Sequence, residues 1–135
     1  MSILEDIGAW LEQKAIIGDE VGWPWWIGLV PATQEGIVSD QAIALSEIPA
    51  GAAPVTRSPE PRGLQVRIRG IKDDYLGPQA KLRDIHAVLH RRTLKVGNTD
   101  ARWIESQTAS PIPWGLDHAG RWEFSWNFTV WASPK

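Results

Sequence analysis

The chain has 135 residues, 43% of them hydrophobic and 22% charged, which suits one globular domain with its own core. Its formal net charge of −2 disfavours broad contact with nucleic-acid phosphates, and the absence of cysteine excludes disulfides, thiol nucleophiles and cysteine-ligated zinc. Because the apolar runs are far shorter than the ~20 residues of a membrane helix and the N-terminal segment carries no basic cluster, we expect a cytoplasmic product without membrane contact.

Tryptophan is the unusual feature of the composition. The chain has nine tryptophans but only two phenylalanines and one tyrosine. Tryptophan fills cores, and it also anchors protein interfaces. Since so many indoles are difficult to pack into a core of this size, the surplus indicates a contact surface.

The N-terminal half predicts one helix followed by strands. Ser2 and Glu5 form a capping-box pattern ahead of an apolar stripe, so we predict a helix from Ile3 to about Ala15, ended by Gly18. The stretch from Ile48 to Arg62 is rich in proline, alanine and glycine, lacks periodicity and predicts a long mobile loop. Apolar or alternating runs predict three strands, at residues 25–30, 41–47 and 64–69.

The C-terminal half predicts a second helix and a further set of strands. The helix is expected after Gly77 and Pro78, with an apolar stripe that runs to about Arg92. Residues 110–120 contain two prolines and predict a second long loop. The remaining predicted strands are a hairpin of residues 93–97 and 101–108, and a final strand of residues 121–131 in which apolar and polar residues alternate.

These elements predict an α+β fold. Two helices and about five or six mostly antiparallel strands form a two-layer sandwich, with both helices packed on one face of the sheet. Residues 1–135 are expected to form a single domain. On the final strand, Trp122 and Trp126 are expected in the core, while Glu123 and its alternate neighbours face away from the helices.

Four residues are candidates for a contact surface. Trp131 breaks the apolar register of the final strand, and Trp114 lies in a proline-flanked loop. Arg67 and Arg69 share the polar face of one predicted strand. A salt bridge with Glu123 is the structural interpretation of these arginines; contact with a neighbouring subunit, or the lining of a channel, is the functional one.

Patterns for catalysis and metal binding are weak. His86 and His90 lie four residues apart on the predicted second helix, but no third ligand accompanies them, so we predict no metal site. Asp73 and Asp74 could serve a nuclease as paired acids, although acids at a helix entrance are typical of capping. The serine-hydrolase, Walker and zinc-protease motifs are absent from the sequence, so we predict no enzyme activity, catalytic residue or cofactor.

Four segments in order carry a resemblance. They are the opening helix MSILEDIGAWLE, the strand at residues 26–31 that ends in a glycine and a proline, residues 64–75 with the following helix, and the acidic-glycine turn at residues 116–121 that continues into the final strand. Together they resemble the tail-terminator and minor-capsid (tail-completion) proteins of long-tailed bacteriophages, over nearly the whole chain.

The resemblance implies a structural virion protein. Such proteins form a ring, commonly a hexamer, that caps the tail tube, stops its polymerisation and joins it to the neck, leaving a channel through which DNA passes. The implied partners are further copies of the chain, the tail tube protein and a neck or head-closure protein, and the implied location is the virion, assembled in the host cytoplasm. On this hypothesis the candidate interface residues are Arg57, Arg62, Arg67, Arg69, Trp114 and Trp131.

Two alternatives remain open. Another head–tail joining subunit, for head closure or tail completion, would share the fold, since a fold does not fix its partner. A nucleic-acid-binding domain would show salt-dependent DNA affinity. Its candidate residues are Arg67, Arg69, Arg83, Arg91 and Arg92.

Overall fold

The computed structural model describes residues 2–28, 41–49 and 60–133, which form two α-helices, a short 3₁₀ turn and seven β-strands. Helix α1 spans Ile3–Gln13, the 3₁₀ turn spans Asp19–Val21, and helix α2 spans Leu76–Leu89. The strands are β1 (Trp25–Ile27), β2 (Ala42–Ile48), β3 (Glu60–Lys72), β4 (Arg92–Val96), β5 (Thr99–Ser106), β6 (Ile112–Leu116) and β7 (Arg121–Ala132). Neither described helix is long and apolar enough to cross a membrane.

The strands form one sheet in the order β1-β2-β3-β7-β5-β4, and β6 pairs with β7 outside this path. Strand β1 runs parallel to β2, and the other pairs are antiparallel. Strand β7 is central because β3 pairs along one side of it, while β5 and β6 share the other side. The predicted α+β fold with a mostly antiparallel sheet is confirmed, with one strand more than expected.

The core lies between the helices and one face of the sheet. On β7, Phe124, Trp126 and Phe128 are almost fully buried and Trp122 is half-buried, so the predicted alternation of this strand is confirmed. Truncation of a buried aromatic to alanine costs ~3–5 kcal/mol, so these rings account for much of the packing energy. The apolar residues that α1 and α2 add to this core are Ile3, Leu4, Ile7, Trp10, Leu11, Leu82, Ile85 and Leu89.

Helix α1 begins with the predicted capping box. Ser2 Oγ accepts the backbone N–H of Glu5, and Glu5 Oε1 accepts that of Ser2, each at 3.2 Å. The helix ends at Gln13, two residues earlier than predicted, because Ala15 adopts a left-handed backbone with φ of 59°. Gly8 lies against the indole of Trp25, where any Cβ would overlap the ring.

A buried carboxylate ties α1 to the far edge of the sheet. Asp6 is 1% exposed, and its Oδ2 accepts the backbone N–H of Asn98 at 3.1 Å and the hydroxyl of Thr99 at 2.7 Å. Asn98 lies in the β4–β5 turn and Thr99 begins β5, whereas Trp25 on the other flank of α1 belongs to β1. Because β1 and β4 end the strand order, α1 bridges the two edges of a curled sheet.

Several further predicted boundaries were wrong, among them the start of the second helix, which lies at Leu76 rather than after Pro78. The loop predicted at 48–62 is shorter at both ends, because Ile48 belongs to β2 and the first residues of β3 pair with β7 as far as Ala132. Residues 50–59 of this loop lie outside the described residues. Residues 29–30 of the first predicted strand lie outside them as well. The loop predicted at 110–120 contains β6, whose single proline, Pro113, is tolerated because the outer edge of an edge strand needs no donor. Helix α2 ends at Leu89 rather than Arg92, because Arg91 has a φ of 58° and Arg92 begins β4.

Candidate functional site

The face of the sheet turned away from the helices is the candidate site, and we name it the polar face. Because side chains alternate along a strand, the residues between the core positions of β3 and β7 share this face. In register, Gln65 lies opposite Asn127, Arg67 opposite Ser125 and Arg69 opposite Glu123. The polar face comprises Gln65, Arg67, Arg69, Glu123, Ser125, Asn127, Thr129 and Trp131.

Arg67 and Trp114 meet on the polar face. The guanidinium of Arg67 contacts Glu123 Oε1 through Nε at 3.1 Å and Nη2 at 3.0 Å, and it lies 4.6 Å from the centre of the Trp114 ring. Trp114 Nε1 donates to Ser125 Oγ at 2.8 Å. The indole is therefore held by a cation–π contact and a hydrogen bond, yet 52% of Trp114 is exposed.

Two tryptophans, Trp131 and Trp103, lie side by side at the end of the polar face that is far from Trp114. Trp131 is half-buried and faces Pro61 across β3 and Trp103 across β5. Trp103 is 39% exposed. The sequence did not single out Trp103, because a register irregularity between Ala101 and Trp103 turns its side chain away from the core.

The predicted arginines do not form one basic surface. Arg67 is neutralised by Glu123, and Arg62 Nη2 lies 2.6 Å from Glu47 Oε1. Arg69 also has an interaction partner, and Arg57 lies outside the described residues. The salt bridge predicted between Arg67 and Glu123 is therefore present, and it leaves this part of the face with little net charge.

Of the arginines of the nucleic-acid alternative, Arg67 and Arg69 lie on the polar face, and the others lie apart from it. Arg83 on α2 lies over the Trp126 ring at 5.9 Å, and Arg92 lies over the Trp10 ring at 5.1 Å. Both rings belong to the core beneath the helices, on the opposite side of the sheet from Arg67. A single phosphate-binding patch of the predicted arginines is therefore not formed.

Two histidines, His86 within α2 and His90 directly after it, hold the helix against the sheet. The His86 ring stacks on Trp126 with ring centres 3.9 Å apart and on His90 at 4.6 Å. His90 Nδ1 accepts the backbone N–H of Ser106 at 3.0 Å, and His86 Nε2 lies 3.1 Å from Ser106 Oγ. Burial, and then the charges of His90 and Arg83, lower the pKa of His86 below its ordinary value. Among the described residues no group of three or more histidine or acidic side chains could hold a metal ion.

Acidic residues cap the segments that flank the sheet. Asp74 Oδ1 accepts the backbone N–H of Gly77 at 2.9 Å at the start of α2, which supports the capping interpretation of the predicted acid pair. In the β6–β7 turn, Asp117 Oδ1 accepts the backbone N–H groups of Ala119 and Arg121, and its Oδ2 accepts Arg121 Nε at 2.8 Å. Burial raises the pKa of Asp117, but the hydrogen bonds from Arg121 and Ala119 lower it by more, so the net pKa lies below its ordinary value.

A separate apolar group lies at the start of α2, on the helix side of the sheet. Tyr75 packs edge-on against Trp122, with ring centres 4.8 Å apart. Leu76 is 74% exposed, and Leu116 is also exposed beside Trp122. The sequence did not single out this group, because its members come from three separate segments.

The fold and the site together define a class: a small α+β protein with fixed, half-exposed aromatic side chains, in which Arg67 of the polar face is paired with a carboxylate. Residues 27–133 match the model of a family described as bacteriophage tail terminator protein, and the chain belongs to this family. It is accordingly a structural, non-enzymatic component of the virion tail.

One solved structure has a closely similar fold. It is titled "Virion of native gene transfer agent (GTA) particle" and superposes with a TM-score of 0.74 over 98% of this chain and 96% of that chain. The two sequences are 13% identical, so the likeness concerns the fold alone. No curated protein matches the chain.

Proposed function

We propose that the chain forms a homo-oligomeric ring, a hexamer, which caps the tail tube, stops its polymerisation and joins it to the neck. The observation that carries the proposal is Trp114, which is half-exposed yet held by Arg67 and Ser125. A large aromatic side chain that is already fixed loses little entropy on binding, and such residues are typical interface anchors.

The polar face is the proposed contact with the tail tube protein. Trp131 supplies an apolar anchor at one end of this face and Trp114 supplies another near the opposite end, where Arg67 and Arg69 supply polar contacts. Arg62 and Arg57 are proposed as further contacts from the segment that precedes Arg67. The neck or head-closure protein would meet the opposite end of the ring, and assembly would take place in the host cytoplasm.

The charge distribution supports DNA as a passenger of the channel rather than a ligand. Arg67 and Arg62 are each paired with a carboxylate, and the chain as a whole has a net charge of −2. Strong phosphate binding requires unpaired Lys and Arg side chains that release counterions. A weakly charged lining would let DNA move without adhesion.

The test is ring formation followed by capping of purified tail tubes. Sedimentation should give a defined oligomer, and a monomer at every concentration, even with tube protein present, would refute the proposal. Trp114→Ala should weaken tube binding at least ~30-fold, as for an interface anchor. Leu76→Ala is the matched control, because it truncates an exposed apolar side chain away from the polar face; equal losses in both variants would exclude the polar face as the contact.

Two other outcomes would redirect the proposal. Binding to portal-bearing heads but not to tubes would indicate a head-closure or tail-completion subunit of the same fold. A DNA mobility shift at low salt that disappears at high salt would indicate a nucleic-acid-binding domain.

A further inference from the structure

A groove on one flank of α1 carries acidic side chains. It has a volume of about 600 Å³, and Glu12, Asp19 and Glu20 are among its lining residues. A smaller neighbouring pocket joins Glu12 and Asp19 to Trp25 and Trp26 of β1. All three acids are exposed, and none forms an ion pair within the described residues. We name the surface formed by Glu12, Asp19 and Glu20 the acidic groove.

A basic surface lies on the other flank of the same helix. The ammonium of Lys14 and the guanidinium of Arg92 lie 5.9 and 5.1 Å from the centre of the same Trp10 ring. Arg91 is adjacent and exposed. In the part of the chain that the structure describes, these three cations have no carboxylate within ion-pair distance. We name Lys14, Arg91 and Arg92 the basic ridge.

The two surfaces are placed so that they cannot neutralise each other within one copy. Glu12 and Lys14 are two residues apart, which corresponds to a rotation of about 200° around a helix. The acidic groove borders Trp25 of β1, and the basic ridge includes Arg92, the first residue of β4. Since β1 and β4 lie at opposite ends of the strand order, the charges mark the two edges of the sheet.

We propose that neighbouring copies of this chain associate head to tail, with the basic ridge of one copy docked against the acidic groove of the next. This inference rests on the ring proposed above. A cyclic ring of more than two copies needs two different, complementary surfaces on each subunit. Opposite charges at the two surfaces orient the copies and oppose a symmetric, face-to-face dimer, in which like charges would meet.

Two reversal variants test the contact. The base-reversed variant combines Lys14→Glu with Arg91→Glu, leaving Arg92 on Trp10. The acid-reversed variant combines Asp19→Lys with Glu20→Lys, leaving Glu12 to accept its hydrogen bond from Trp25. Each variant alone brings like charges together, so its assembly midpoint should rise at least ~30-fold in concentration. The control Asp73→Lys with Asp84→Lys makes the same net charge change as the acid-reversed variant, at exposed positions outside both surfaces, and should assemble like the parent.

An equimolar mixture of the two reversal variants is the decisive sample. In the mixture, the reversed ridge of one variant meets the reversed groove of the other, and their two original surfaces also meet. Both contacts join opposite charges, so a ring with an even number of copies, in which the two variants alternate, should form again. Near-ultraviolet circular dichroism of each variant establishes that it is folded. Assembly of either folded variant at the parental midpoint would overturn the pairing, and so would a mixture that stays monomeric. A parent chain that never assembles would instead refute the ring itself.

Discussion

The ion pair between Asp117 and Arg121 allows a quantitative prediction about the turn that leads into β7. Their side chains are 11% and 6% exposed, and Nε and Oδ2 are 2.8 Å apart. Asp117→Asn keeps an oxygen that can accept the two backbone N–H groups of the turn, but it removes the negative charge beside a buried guanidinium. The substitution therefore isolates the charge from the backbone cap.

The expected cost follows from burial. Loss of one partner of a buried ion pair destabilises a protein by ~3–5 kcal/mol when the remaining charge is left uncompensated. Arg121 keeps a further interaction in the fold, so we expect Asp117→Asn to lower the free energy of unfolding by ~2–3 kcal/mol. Asp117→Ala should cost more, because it also removes the side-chain oxygen that accepts two backbone N–H groups, and each of these hydrogen bonds contributes ~1 kcal/mol.

Urea unfolding followed by tryptophan fluorescence measures these differences, with all variants at one protein concentration because assembly adds to apparent stability. Glu47→Gln is the matched control. It breaks the Arg62–Glu47 pair, which is shorter at 2.6 Å but 44% exposed on both sides, so the loss should stay below ~1 kcal/mol. Two results would show that burial does not decide the strength of these ion pairs. One is a free energy of unfolding of Asp117→Asn within ~0.5 kcal/mol of that of the parent, and the other is a loss in Glu47→Gln as large as the loss in Asp117→Asn.

Two further predictions concern the helices. Because the pKa of His86 in the folded chain is held below its ordinary value by burial and by His90 and Arg83, the associated stability is complete above pH ~6.5, the pKa of an unperturbed histidine, and is lost as the pH falls from there through the lowered pKa of the folded state. The melting temperature should therefore drop between pH 8 and pH 5, and a drop of equal size in His86→Gln would contradict this origin. Gly8→Ala should destabilise the chain by ~1–3 kcal/mol in urea unfolding, because the new Cβ overlaps Trp25; a more stable variant would show that helix propensity outweighs the overlap.

The elements with regular periodicity could be predicted from the sequence. The alternation of β7 identified its buried aromatic residues, and the capping box at Ser2 identified the start of α1. These signals are local, since they depend only on spacing within one element. Strand β6 was missed because Pro111 and Pro113 suggest a loop, and only the position of β6 beside β7 makes a proline-containing strand possible.

The candidate site could be predicted only in part, because part of it depends on how distant strands pair. The salt bridge of Arg67 with Glu123 follows from two strands that present polar faces to the same side. The position of Trp114 over Arg67 depends on the register of β6 against β7, and that of Trp103 on an irregularity in β5. Such registers are set by non-local pairing, to which sequence spacing gives no access.

The central position of β7 has a consequence for how the protein is made. Strand β7 is the last strand of the described chain, yet β3, β5 and β6 all pair with it, and Glu60 lies opposite Ala132. While residues 121–132 are still within the ribosome, β3, β5 and β6 lack the strand with which they all pair. The polar face then consists of the β3 residues alone. Closing so long a stretch of chain is slow. The polar face is therefore complete only after β7 has left the ribosome, so that a nascent chain without β7 presents only the β3 side of this surface.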